Sequence, residues 1–484
     1  MGKYTLTVRR LGLTAVVTPL VSLSNLILLP ILTKNLAIAD YGAWALIMVT
    51  MSLMPALATL GLPNAMIRFL AAATDKRDIR ESFYSMGLIV LLASSIISGL
   101  LFLFAPQIAA SLFQNNYAIA LLLIPNILIA SLTLYIAQYF ITFQQIKRNS
   151  VLSLFNAYLN TALIAYFVIS GRGLEGAVVA LLIQQLVVFG VMMCLIVAQI
   201  GFAIPKLKHV RQHLAYSLPL VPGGLSQWIV NSSDRYLIAF FLGAAAVGYY
   251  SPGYTIGYAA LIMISAPLAT LLPPVLSKHF DDGDITDVRT ILTYSLKYYA
   301  GIALPCVFGL SVLSKPLLLV LTTQQIAANG YLVTPFVAAG TALIGAYSVL
   351  VMVLALKKKT AAIGTIWIFS AVLNFGLNFV LIPYLGLVGA ALTTFLAFLL
   401  AFVLTTLYSL RIFRFDVKGG FILKSVCGSS IMALFLLLWN PSGLLSILLS
   451  IAFAAILYLS ILLALRGFTI HEFKLIYGIY IGSS

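Results

Sequence analysis

Residues 386–410 read GLVGAALTTFLAFLLAFVLTTLYSL, a run of 25 residues without a charged side chain. A helix needs about 20 mostly apolar residues to cross a bilayer, so this run predicts a membrane span at residues 387–410. Thirteen more apolar runs lie elsewhere in the chain, which predicts an all-α polytopic membrane protein. The other spans are residues 11–32, 41–67, 83–105, 118–142, 151–170, 174–200, 214–242, 249–276, 294–313, 331–356, 361–382, 421–439 and 444–465.

The composition of the whole chain agrees with a membrane protein. Hydrophobic residues make up 62% of the 484 residues and charged residues 8%, whereas a soluble domain carries about 25% charged residues. Of the 28 Lys and Arg residues, 24 lie in segments predicted to be cytoplasmic, 3 in outer loops and one, Arg235, within a span. Because Lys and Arg concentrate on the cytoplasmic side, this alternation predicts an even number of spans with both chain ends inside. The net charge of +16 therefore reflects topology in a multi-pass cell-membrane protein, and no nucleic-acid partner is expected.

The chain repeats itself after six helices. The string GLxGA occurs at residues 173–177 and again at residues 386–390. Gly42, at the start of the second span, corresponds to Gly248, at the start of the eighth. A repeat with an even number of helices keeps its orientation, so the halves should be related by an axis along the membrane normal. We predict an N-lobe at residues 1–205, a C-lobe at residues 206–420 and an appended helix pair at residues 421–484.

The seventh span contains the ionisable neighbours Asp234 and Arg235. Charged groups inside a bilayer are costly, so each is a functional hypothesis. Neighbours point about 100° apart on a helix, so we expect Asp234 and Arg235 not to pair cleanly with each other and each to need another partner or water. Gly223, Gln227, Asn231 and Asp234 follow a 4-4-3 spacing and share one helix face. The same spacing occurs in the first span at Thr14, Thr18, Ser22 and Asn25. These stripes indicate either a hydrated cavity between the lobes or hydrogen bonds that hold helices together.

Other charges lie near the predicted ends of helices. Arg68 ends the second span and Lys297 lies at the start of the ninth. Each is either a binding group for an anion such as phosphate or an anchor that follows the positive-inside rule. The main outer charges are Lys34, Asp40, Arg172 and Glu175. They form either an outer gate or ordinary solvated loops.

Signals for catalysis are weak. Residues 282–284, Asp-Gly-Asp, match a short motif of nucleotide-sugar enzymes, but they lie in an acidic cytoplasmic loop. No phosphate-binding Gly-Lys-Ser/Thr loop is present, so ATP hydrolysis by that route is not expected. A glycan polymerase or ligase would need acidic groups outside the membrane, where only Asp40 and Glu175 lie. We expect a protein that is not an enzyme and that uses no cofactor or metal.

Several strings together resemble one transporter family. In the first half these are LTK at residues 32–34, DYG at 40–42 and LGL at 60–62, followed by Arg68. In the second half they are YSLP at 216–219, the Asp234-Arg235 pair and FLG at 241–243, followed by Gly248 and Tyr250. Their order is similar to that of the polysaccharide-exporter, O-antigen flippase-like branch of the multidrug/oligosaccharidyl-lipid/polysaccharide transporters. The resemblance covers essentially the whole chain.

This resemblance implies a flippase that moves polyprenyl-diphosphate-linked oligosaccharide from the cytoplasmic to the outer leaflet by alternating access. The implied partners are the lipid-linked glycan, membrane lipids and glycan-assembly enzymes. The substrate-binding candidates are Asn25, Arg68, Gln227, Asn231, Asp234, Arg235 and Lys297. The alternative is a cation-coupled exporter of drugs or metabolites. Relatives of that kind often carry an acid in the first helix, where this chain has only Asn25.

Overall fold

The computed structural model describes residues 2–73, 75–207 and 209–468, with side chains from residue 17 onward. Over these residues the chain is helical and contains no strand. The helices are α1 Gly2–Asn35, α2 Ile38–Ala58, α3 Leu62–Leu70, α4 Lys76–Leu103, α5 Ala105–Leu112, α6 Tyr117–Thr142, α7 Ile146–Phe167, α8 Gly173–Ile200, α9 Val210–Ser217, α10 Val221–Leu242, α11 Ala244–Asp281, α12 Ile285–Leu321, α13 Gln324–Gly330, α14 Val333–Leu356, α15 Thr360–Ile412, α16 Gly419–Trp439 and α17 Leu444–Ala464.

The number of crossings agrees with the prediction of about fourteen. Among the described residues, eleven helical stretches are long and apolar enough to cross a membrane. Two of them, Ile146–Ile200 and Thr360–Ile412, are long enough for two crossings each and are interrupted by non-helical glycines, Gly171 and Gly386. With α10, which has 22 residues, the total is fourteen. The expected all-α polytopic fold is confirmed.

The repeated GLxGA string forms the same reversal of direction in both places. Gly173 has φ 58° and ψ −149°, and Gly386 has φ 60° and ψ −135°, a conformation essentially restricted to glycine. The second glycine of each string then lies against the preceding segment. A Cβ on Gly176 would lie 2.4 Å from Arg172 Cβ, and one on Gly389 would lie 2.3 Å from the carbonyl oxygen of Leu381. The string is therefore repeated because both turns need the same two glycines.

The predicted second span, residues 41–67, is two helices rather than one. Helix α2 ends at Ala58, and Leu60 and Gly61 take positive φ values of 51° and 71°. Helix α3 then carries Arg68 as a separate nine-residue element. Conversely, the proline-containing ninth span is part of one continuous 37-residue helix, α12. Pro55 is accommodated within α2, and the chain breaks after it, at the left-handed turn of residues 60–61.

Packing groups the described chain into two compact units. One consists of Met1–Ser251 with Trp367–Thr393, and the other of Pro252–Ile366 with the chain from Thr394 onward. The first unit has a buried core of aliphatic and aromatic side chains from α3, α4, α6 and α8, including Met66, Phe83 and Tyr135. The predicted division into lobes at residues 205 and 420 stays a prediction.

Within the first unit, helices α2 and α11 approach each other very closely at their first turns. A Cβ on Gly42 would lie 1.8 Å from the carbonyl oxygen of Ala244, and one on Gly248 would lie 2.3 Å from that of Ile38. Gly42 and Gly248 occupy corresponding positions in the repeat, and each of them faces the helix that carries the other. Such reciprocal contacts occur between elements related by a two-fold axis.

The appended pair α16 and α17 packs on α12 in the second unit. Phe421, Met432 and Tyr458 form a buried cluster with Leu313 of α12. The Tyr458 hydroxyl donates to the carbonyl oxygen of Gly301 at 2.7 Å and also lies 2.7 Å from the Ser425 hydroxyl. A buried tyrosine hydroxyl needs such partners, so Tyr458 ties the pair to one place on α12.

Candidate functional site: a buried ion pair on α10

Asp234 is fully buried in α10 and paired with its own neighbour. Its Oδ1 accepts hydrogen bonds from the backbone N–H of Arg235 at 2.9 Å and from Arg235 Nη1 at 2.8 Å. Its Oδ2 accepts a hydrogen bond from the Tyr250 hydroxyl of α11. Three donors thus satisfy the carboxylate, which a charge away from water requires. The expectation that Asp234 and Arg235 would not pair with each other is wrong, because the long arginine side chain folds back along the helix.

The Arg235 side chain makes two further contacts besides its ion pair with Asp234. Its Nη1 also donates to the carbonyl oxygen of Asn231, one turn earlier. The guanidinium carbon lies 5.5 Å from the centre of the Tyr250 ring, within the range of a cation–π contact. Tyr250 therefore holds both partners, Asp234 through its hydroxyl and Arg235 through its ring.

The polar stripe on α10 leads from an accessible surface to this pair. Gln227 is exposed, Asn231 is half-buried and Asp234 is buried. Asn231 Nδ2 donates to the carbonyl oxygen of Gln227 at 2.7 Å. The three predicted residues thus form one graded path along a single helix face.

An apolar cavity of about 360 Å³ lies beside the ion pair within the first unit. Ser233, Tyr236 and Leu237, which flank Asp234 and Arg235 in sequence, belong to its lining. Of its four polar lining side chains, Thr50, Trp228 and Tyr236 are paired, whereas the buried Ser233 hydroxyl has no hydrogen-bond partner among the described residues. The Tyr236 hydroxyl lies 2.6 Å from Thr50 Oγ1, and the Trp228 indole N–H donates to Ser52 Oγ at 2.9 Å. The cavity suits an apolar group next to a charged pair.

The other predicted residues take no part in the hydrogen bonds and ring contacts described for this cluster. Asn25 on α1 and Arg68 on α3 are exposed, and both belong to the first unit. Of the first-span stripe, the Thr14 side chain lies outside the described side chains. Lys297 belongs to the second unit. The structure thus brings together Gln227, Asn231, Asp234 and Arg235.

Tyr250 was missed as a site residue by sequence reasoning. It is completely buried and lies 16 residues after Asp234 on the next membrane helix. Its signal was present, since it belongs to the strings that resemble the transporter family. A tyrosine in an apolar run gives no sign of which hydroxyl will face a carboxylate.

Lys297 lies in a cage of aromatic rings in the second unit. Its side chain is buried, and Nζ lies 4.8 Å from the ring centre of Phe421 and 5.6 Å from that of Phe468. The rings of Tyr294 and Tyr298, on the same helix, lie at 5.9 and 5.8 Å. Cation–π contacts of a desolvated ammonium contribute about 2 kcal/mol, so the cage also attaches α16 to α12. The substrate-binding role of Lys297 stays a prediction.

Replacing Lys297 should show what the cage contributes. Lys297→Glu is expected to lower the free energy of unfolding by about 3 kcal/mol or more, because it buries an anion among ring faces. Lys297→Met keeps the length of the side chain but removes the cation–π contacts, so it should cost about 2 kcal/mol or less. Thermal unfolding of the purified variants measures both effects. Equal stability of the two variants would contradict the cage, and normal stability with lost export in Lys297→Met would favour substrate binding.

His213 is a buried histidine that packs against α3. The ring belongs to α9 and packs 5.2 Å from the ring of Phe69, the residue after Arg68. Burial lowers the pKa of His213 below 6.5, and the nearby His209 lowers that pKa further. His213 is therefore neutral at pH 7 and adds no charge at its contact with α3.

One cluster of side chains has the composition of a metal site. Ligand atoms of His279, Asp284 and Asp287, at the turn between α11 and α12, lie within 4.8 Å of one another. The histidine Nδ1 lies 3.8 Å from a carboxylate oxygen of each aspartate. Both aspartates are more than half exposed. Exposed acidic groups of this kind are common without a metal, and this arrangement is that of a surface cluster.

Comparison with known protein families identifies the chain. A family profile described as polysaccharide biosynthesis protein matches residues 8–280. The chain belongs to this family. The matched residues include Arg68 and the complete cluster of Gln227, Asn231, Asp234, Arg235 and Tyr250, which is consistent with the predicted resemblance.

Two curated proteins of Haloferax volcanii are similar in sequence. The probable low-salt glycan biosynthesis flippase Agl15 is 23% identical over 277 residues, which cover 56% of this chain and 58% of that protein. The probable flippase AglR is 31% identical over 176 residues, which cover 35% of this chain and 36% of that protein. The chain thus spans about half the length, or less, of these curated relatives.

Solved structures share the fold. The lipid II flippase MurJ in an inward closed conformation matches with a TM-score of 0.75 and 16% identity, covering 95% of this chain and 99% of MurJ. An inward-facing multidrug resistance MATE family transporter of the MOP superfamily matches with a TM-score of 0.67 and 17% identity, covering 82% of this chain and 98% of the transporter. At these identities the matches establish the fold alone. The MurJ match covers nearly the whole chain, whereas the MATE match leaves out almost one-fifth.

Proposed function

We propose that this protein is a flippase that transfers a polyprenyl-diphosphate-linked oligosaccharide from the cytoplasmic to the outer leaflet by alternating access. The observation that carries the proposal is the family match over residues 8–280, which contains the buried ion pair. The names of the two Haloferax relatives, a glycan biosynthesis flippase and a flippase, support it. In this proposal the chain binds its substrate and performs no chemical reaction on it.

The chemistry of the site fits such a substrate. A lipid-linked glycan has an anionic diphosphate, a hydroxyl-rich glycan and an apolar tail. Arg235 offers a guanidinium, which pairs well with phosphate oxygens. Gln227 and Asn231 offer amides to hydroxyl groups, and the neighbouring cavity is apolar. In our proposal Arg235 exchanges Asp234 for the diphosphate during transport, and Asp234 then retains the hydrogen bond from Tyr250.

Arg68 is the second basic group in the proposal, at the predicted cytoplasmic end of the first unit. Its side chain is exposed on the short helix α3, so it can meet the diphosphate at the cytoplasmic leaflet before the substrate enters the transport path. Enzymes that assemble the lipid-linked glycan would deliver the substrate to this side.

Arg68→Ala is expected to lower glycan export about tenfold or more, the equivalent of one lost charge-assisted contact. The assay is complementation of a strain that lacks the gene, with surface glycan and intracellular lipid-linked glycan measured together. Arg77→Ala is the matched control, because Arg77 is an exposed arginine on the same predicted side.

The proposed function predicts that deletion depletes surface glycan and accumulates the completed lipid-linked precursor. Normal surface glycan after deletion, combined with new sensitivity to drugs, would instead favour a cation-coupled exporter. The MATE match gives that alternative its support in fold. Normal export by Arg68→Ala would remove Arg68 from the site and leave the flippase proposal standing on the deletion result.

A further inference from the structure

A polar cavity lies within the first unit where three loops predicted to be outside the membrane meet. Its volume is about 330 Å³, within the roughly 300–1,000 Å³ of small-molecule sites. Asp40 comes from the start of α2, Asn116 from the turn before α6, and Arg172 and Glu175 from the turn that begins α8. The main outer charges of this unit, other than Lys34, thus surround one space.

The polar groups of this cavity are organised. Asn116 Nδ2 donates to Glu175 Oε1 at 2.8 Å, which joins the second and third loops. Asn116 Oδ1 accepts from the backbone N–H of Ile119, which fixes the orientation of the amide. Arg172 lies against the ring of Phe167, with its guanidinium carbon 4.9 Å from the ring centre. The cavity therefore has carboxylate acceptors on two sides and a positioned guanidinium donor.

Phe113 gives this polar cavity an apolar wall. Its side chain is 2% exposed, and it lines both this cavity and the apolar cavity beside Asp234. It is thus the partition between a hydrophilic space and a hydrophobic one. A space lined by carboxylates, amides and a guanidinium, with a buried aromatic side chain behind it, suits the rim of hydroxyl groups of a sugar ring.

The charges around the cavity nearly cancel. Two carboxylates oppose one guanidinium and the N-termini of α2, α6 and α8, each of which acts as about half a positive charge. A cavity with so little net charge has no strong preference for a metal cation or a phosphate. Its mixture of donors and acceptors fits an uncharged, hydroxyl-rich ligand.

We propose that the cavity bounded by Asp40, Phe113, Asn116, Arg172 and Glu175 is a binding subsite for an uncharged sugar residue of the transported glycan on the outer side. The inference rests on the proposed flippase function. It assigns to the first unit a second contact with the substrate, distinct from the ion pair on α10. There the glycan is held after its diphosphate has left Arg235.

The test measures sugar binding by the full-length protein in lipid nanodiscs. Saturation-transfer NMR with maltotriose and chitotriose should detect binding to the wild type. The double substitution Asp40→Asn and Glu175→Gln should weaken that binding by roughly tenfold or more, since it removes two charged acceptors of hydroxyl groups. Asp78→Asn is the matched control, because Asp78 is also an acid in the first turn of a helix but lies outside the cavity.

Each result of the test decides something. If the double variant binds both sugars as well as the wild type does, the subsite is wrong. The subsite is also wrong if the wild type binds neither sugar. If the wild type binds calcium, added as calcium chloride, or phosphate, added as sodium phosphate, in place of the sugars, the cavity is an ion site and the proposal is wrong. Because binding is measured without transport, a protein that exports glycan but binds neither sugar would refute the subsite alone. A protein that binds sugar but exports nothing would refute the proposed function instead.

Discussion

Replacing Asp234 and Arg235 together, with leucine and methionine, is expected to leave a folded membrane protein that no longer exports glycan. A buried ion pair can often be exchanged for apolar side chains of similar volume without loss of stability, since its desolvation cost offsets its attraction. Export should fall by about a hundredfold or more, the equivalent of about 3 kcal/mol of interaction with a charged substrate group.

The single variants serve as the contrast to this double variant. Asp234→Leu leaves the buried guanidinium of Arg235 without its acidic partner. Arg235→Met leaves the buried carboxylate of Asp234 without its basic partner. Each should lower the free energy of unfolding by about 3–5 kcal/mol. Thermal unfolding in detergent, protein content of the membrane and glycan export are measured for all three. If the double variant is stable and exports normally, the pair only holds helices together and our site is wrong.

Gly42→Val should give the second large effect. A Cβ at this position would lie 1.8 Å from the carbonyl oxygen of Ala244 and 3.0 Å from the backbone nitrogen of Gly248. Both are backbone atoms, so α2 and α11 would have to separate at their first turns. Overpacking of this kind costs about 1–3 kcal/mol and occasionally more. We expect export to fall about tenfold or more while the protein still reaches the membrane.

Gly99→Val is the matched control for this substitution. Gly99 also lies inside a membrane helix, α4, and nothing lies within 4 Å of a Cβ placed there. Both variants replace a helical glycine with valine, so the change in helix propensity is the same. They differ because only Gly42 lies at a close contact between two helices. Equal export by Gly42→Val and Gly99→Val would mean that the close approach of α2 and α11 has no part in transport.

Much of the fold followed from the sequence because the membrane permits few structures. Apolar length predicted the helices, and the recurrence of GLxGA predicted two equivalent turns that the backbone at Gly173 and Gly386 adopts. The break at residues 60–61 was missed, because a leucine with positive φ has no sequence signature. The length of helix α12 was underestimated, because the helix continues through Pro305.

The candidate site was predictable in part. Asp234 and Arg235 stood out because charges within a span are rare, and helical spacing placed Gln227 and Asn231 on the face of Asp234. Their partner Tyr250 lies on another helix, and only folding selects it from the 24 tyrosines. The aromatic cage of Lys297 likewise needs Phe421, which lies more than a hundred residues later in the chain.

The outer charges illustrate the same limit. Asp40 comes from one loop and Arg172 and Glu175 from another, and sequence alone left open whether they form a gate or separate solvated loops. The structure places all three around one cavity. Spacing along the chain does not show that these charges meet, because their meeting depends on how the starts of α2 and α8 pack.

The most direct test of the flippase proposal is transfer of a lipid-linked glycan by the purified protein. Proteoliposomes would contain a fluorescent polyprenyl-diphosphate oligosaccharide, and a membrane-impermeant reagent would report its exposure in the outer leaflet over time. We predict that the wild type transfers the lipid, and that the Asp234→Leu, Arg235→Met double variant transfers it no faster than protein-free vesicles. A wild-type rate equal to that of protein-free vesicles, with active exchange of cations for a drug in the same preparation, would contradict the proposal.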